Sequence, residues 1–130
     1  MERGVAIVVS YLQHQMTKES TPPGQVRRWI EGALAQVADP HLISMSRAAA
    51  GQVSATASWR AADDEIMRPM RDLLTEPVAA LGSNDIRRDA DAVFYCTVTA
   101  MRRYLDSAQH PGPDDVDHLV RFCLRGLGVS

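Results

Sequence analysis

A chain of 130 residues is long enough for one domain with a sizeable core, and no shift in composition marks a point where two cores would part. With 45% hydrophobic and 23% charged residues it is composed like a folded globular protein, and a net charge of −2 without any basic block argues against holding a nucleic acid by its phosphates. The longest apolar run near the start, Val5 to Val9, is too short to cross a bilayer and has no cleavage-site pattern, so neither a membrane span nor a signal peptide is expected and the default setting is the cytoplasm.

Aromatic residues make up only 5% of the chain and β-branched residues seldom alternate with polar ones, so the expected class is all-α. From Met1 to Thr17, Val5, Val8, Val9, Leu12 and Met16 recur at helical spacing and predict a first helix. Residues 18–24, K-E-S-T-P-P-G, read as a loop because two prolines and a glycine cannot continue a ladder. Gln25 to Ala38 is the next helix, with Val26, Trp29, Ile30, Ala33, Leu34 and Val37 on one side and Arg27, Arg28, Glu31 and Gln36 on the other. Asp39-Pro40 is a helix start, an N-cap followed by proline, and opens a helix bearing Leu42, Ile43 and Met45.

Residues 46–59 are nearly all small, which suits either close helix packing or space left for a ligand. Ala61 to Leu81 resumes a helical pattern through Ile66, Met70, Leu73, Leu74 and Val78, with a start expected near Pro69, a kink near Pro77 and an end at Gly82. Asp89 to Leu105 is a helix capped by Asp89, with Val93, Phe94, Val98, Met101 and Leu105 along one stripe. Past the His110-Pro-Gly-Pro break, Pro113 to Leu127 is the last helix, with Asp114 and Asp115 at its positive end. About six helices result.

The last two helices are apolar over an unusually broad face. Val116, Leu119, Val120, Cys123 and Leu127 line one side of the final helix, and Phe122 and Leu124 widen it. A single neighbour cannot cover so much, so the pair is expected to pack on its own domain and on the same pair of a second copy, as an intermolecular four-helix bundle. Val98 and Tyr104, with Val116, Leu119, Val120, Cys123 and Leu127, form the expected homodimer seam. Cys96 and Cys123 are expected to be reduced, buried thiols.

No catalytic or metal constellation emerges. His14, His41, His110 and His118 are scattered, the cysteines form no CxxC, and Asp63-Asp64-Glu65 reads as a solvated helix start. No enzyme activity, metal or cofactor is therefore expected. Large adaptable apolar residues remain: Trp29, Met45, Trp59, Met67, Met70, Phe94 and Met101 suit a cavity for a hydrophobic small molecule, with Thr97, Tyr95 and Tyr104 available to orient its polar atoms. Such residues are more often plain core.

Asp89-Ala-Asp-Ala-Val-Phe-Tyr, then Thr99-Ala-Met-Arg-Arg-Tyr-Leu105, the Pro-Gly-Pro break and Asp117-His-Leu-Val-Arg-Phe-Cys-Leu-Arg-Gly-Leu-Gly128 resemble the last two helices of the tetracycline-repressor (TetR) family. Upstream, the helix from Val26 to Val37, the Asp39-Pro-His start followed by Arg47, and Leu73-Leu-Thr-Glu-Pro-Val78 are similar to the middle helices of that family's effector-binding domain. The resemblance implies one ligand-binding and dimerisation domain over residues 1–130, with 1–17 as the linking helix. It also implies DNA binding only through a helix-turn-helix domain that this sequence lacks. A stand-alone helical adaptor that dimerises without a ligand is the competing expectation, and a small enzyme working through His41 or His118 is a third.

Overall fold

The computed structural model describes residues 3–38, 67–107 and 109–129, and every described element is helical. In chain order the helices are α1 (Arg3–Met16), α2 (Pro22–Ala38), α3 (Thr75–Ala80), α4 (Ile86–Ser107) and α5 (Pro113–Gly126), with a further helical stretch over 67–72. The helix expected from Asp39-Pro40 and the small-residue stretch lie outside the described residues.

Capping decides where these helices begin. α2 starts three residues earlier than the periodicity predicts, so Pro22 and Pro23 belong to the helix and not to a loop. The reason is Thr21, whose hydroxyl accepts the Gly24 N–H at 3.2 Å while its carbonyl accepts from Gln25 at 2.9 Å. Prolines in the first turn forfeit nothing, because N–H groups there have no intrahelical partner. α4 also begins early. Asp85 caps it, its Oδ1 accepting the Arg88 N–H at 3.1 Å, while Asp89, the expected cap, lies inside the first turns and accepts the Ser83 hydroxyl at 2.5 Å.

Between 67 and 80 the helix breaks at residues 73–74 before resuming as α3. Pro77 has no N–H for the Leu73 carbonyl, and its ring crowds that carbonyl four residues back, so the expected kink falls one turn before the proline. Gly82, at φ +85°, then ends α3 with its N–H on the Ala79 carbonyl at 3.0 Å. α5 opens with the Gly112 N–H on Asp115 Oδ2 at 2.9 Å. It closes with Gly128 at φ +88°, where Val129 donates to the Leu124 carbonyl at 2.9 Å and Gly128 to that of Arg125 at 3.0 Å.

α2 is the centre of the packing. Its Val26, Trp29, Ile30, Ala33, Leu34 and Val37 are buried, and it touches α1, α3, α4 and α5. α1 buries Val5, Val8 and Leu12 against it, at a crossing made close by Gly32: a Cβ there would stand 2.8 Å from Leu12 Cδ2. α4 and α5 each lie against α2 more extensively than against one another. Arg27 of α2 pairs with Asp117 of α5 at 3.5 Å, and Arg71 pairs with Asp91 of α4 at 3.4 Å, joining the 67–72 stretch to α4.

Candidate functional site

The apolar residues expected to surround a ligand converge on α2. Trp29 is wholly buried, and its indole N–H donates to the Met70 carbonyl at 3.1 Å across 41 residues of chain. This bond fixes the ring's rotation and ties α2 to the 67–72 stretch. The Phe94 ring of α4 lies tilted against it with centroids 6.3 Å apart. Met70, Phe94 and Met101 are buried in the same cluster, Thr97 is buried on α4, and Met67 packs half-buried at the cluster's margin. Met45 and Trp59 lie outside the described residues.

The polar groups offered for orienting a ligand behave differently. The Thr97 hydroxyl donates to the Val93 carbonyl of its own helix at 2.9 Å. Tyr95 of α4 is exposed, its ring edge-on to Phe94 at 5.1 Å, and Tyr104 is half-buried against the core.

Gln36, which the spacing places on the polar side of α2, is fully buried instead. Its Nε2 donates back to the Gly32 carbonyl at 3.2 Å, and its Oε1 meets no donor among the described residues. Rotating the amide would set oxygen against oxygen at Gly32, so one end stays unmatched either way. A buried unpaired acceptor costs about 1–3 kcal/mol. The available signal was its separation of seven residues from Trp29, which is two turns along the same face.

The expected seam divides into two sets. Val98, Val120 and Cys123 are buried within their own chain, whereas Val116, Leu119, Leu127 and Tyr104 are half-buried. The large apolar side chain that α5 leaves in solvent is Phe122, at 55% exposure. Cys96 is exposed, contrary to the expectation of two buried thiols, because it lies off the stripe that α4 turns to the core. Burial, and secondarily the neighbouring Cys96 charge, push the Cys123 thiol up to about 11.

A groove of about 860 Å³ opens where α4 ends and α5 begins, between Arg103, Tyr104, Asp106, His110 and Asp115. His110 Nδ1 lies 3.0 Å from the Val37 carbonyl and anchors this corner to the end of α2. Its mixed charges and open form make it a solvated corner unsuited to an apolar ligand. Among the described residues, no three His, Cys, Asp or Glu side chains gather as a metal site, and no helix is long and apolar enough to cross a membrane. Comparison with known protein families, curated proteins and solved structures finds no match for this chain.

Proposed function

We propose that the chain is the ligand-sensing and dimerisation domain of a TetR-like transcriptional regulator, working in the cytoplasm and binding a hydrophobic small molecule that controls DNA binding by a separate helix-turn-helix domain. The observation that carries this reading is the double duty of α2. One side of it holds Trp29 against Met70 and Phe94, and another side carries α1 through the close Gly32–Leu12 crossing. A ligand entering beside Trp29 must displace side chains held by the Trp29–Met70 bond, and α1, seated on the same helix, moves with them. The effector then needs only unequal affinity for the two arrangements of α1 to redistribute them. Outward residues of α4 and α5, chiefly Phe122 with half-buried Leu119 and Leu127, join the same helices of a twin subunit in a four-helix bundle.

A thermal-shift screen of the whole chain against small aromatic and aliphatic compounds tests the sensing half. The reading expects a subset to raise Tm in a concentration-dependent way and to alter Trp29 fluorescence in a Trp59→Phe background. A second reading, an adaptor that dimerises and binds protein without any ligand, is favoured by one observation: Trp29, Met70, Phe94 and Met101 are all at most 8% exposed and already in mutual packing. A screen that stays flat across the whole panel decides for the adaptor.

A further inference from the structure

Building on the effector-pocket reading, we propose that Gln36 is the polar anchor of that pocket, so that its ligand is an apolar molecule carrying a hydrogen-bond donor, a hydroxyl or an N–H. Gln36 is as buried as Trp29. The two stand seven residues apart on one face of α2, with only the methyl of Ala33, also fully buried, on that face between them. The other buried side-chain hydrogen-bonding groups are committed: the Trp29 N–H to the Met70 carbonyl, the Thr97 hydroxyl to the Val93 carbonyl, and the Gln36 Nε2 to Gly32. Among the described residues, the buried side-chain atom left without a partner is an acceptor, Gln36 Oε1. A buried unmatched acceptor discriminates by chemistry. It gains from a ligand that donates and is left stranded by one of equal shape that cannot.

The test is a matched pair of probes, 2-naphthol and 2-methoxynaphthalene, which share one ring system and differ in whether the oxygen carries a proton. Each is titrated by calorimetry into the full chain and into Gln36→Met, which keeps the length of the side chain and removes the amide. The wild type is expected to bind the naphthol at least tenfold more tightly than the ether, and Gln36→Met to bind both within about twofold. If Gln36→Met does not fold, Gln36→Asn, which retracts the amide by one methylene, is expected to show the same loss of preference. Equal affinities in the wild type, as when an internal water already serves Oε1, overturn the anchor while leaving the pocket in place. So does a preference that survives in the variants. If neither probe binds the wild type, the pocket reading for aromatic ligands falls and the anchor falls with it.

Discussion

Single side chains carry most of what is testable about the core. Trp29→Phe keeps a ring but removes the donor that satisfies the Met70 carbonyl and leaves unfilled volume, so chemical denaturation should show a loss of about 2–4 kcal/mol. Gln36→Met removes an unmatched acceptor and should stay within about 1 kcal/mol of the wild type or exceed it. The thiols separate by accessibility: a thiol reagent at pH 8 should modify Cys96 in the native protein and reach Cys123 only after unfolding. Cys123 also gives stability a pH dependence. Its folded-state pKa of about 11 lies above the ordinary 9.0, so the unfolded chain releases the proton first and stability falls as pH rises from about 9 toward 11. In denaturation melts over that range, Cys123→Val should lack the Cys123 part of the decline, up to roughly 2 kcal/mol. At this scale the sequence was legible for apolar residues and not for Gln36 or Cys96. Residue type sets the expectation for a polar side chain, while neighbouring elements decide whether it is covered.

Helices were legible through their spacing, and their ends only in part. The stripes on α1, α2, α4 and α5 announce helices in the right places, because burying one face demands that periodicity. The starts of α2 and α4 depend on single cap hydrogen bonds accepted by the Thr21 and Asp85 side chains, which periodicity does not register. Thr21→Ala should therefore cost about 1 kcal/mol. Gly82 was readable because a C-terminal glycine has a steric cause. Gly82→Ala, forced to φ +85°, should cost about 1 kcal/mol although nothing stands within 4 Å of the added methyl, a separation of strain from packing that equilibrium melts can measure.

Across the whole molecule, the broad apolar faces of α4 and α5 raise a question that spacing alone does not answer: which neighbour covers each part. The central helix α2 takes Val98, Val120 and Cys123 into the chain's own core, while exposed Tyr95 and Phe122, with half-buried Tyr104, Val116, Leu119 and Leu127, are left less covered. Periodicity reports that a side chain needs cover without saying whose, so the seam as drawn from the sequence mixed residues of the core with residues at the surface. In the proposed dimer this outward face of α4 and α5 joins that of a twin subunit. Sedimentation equilibrium over a wide concentration range decides the matter: the wild type should weigh twice the chain's 14.3 kDa and Phe122→Glu should weigh once, while a wild type that stays at 14.3 kDa at the highest concentration rules the dimer out.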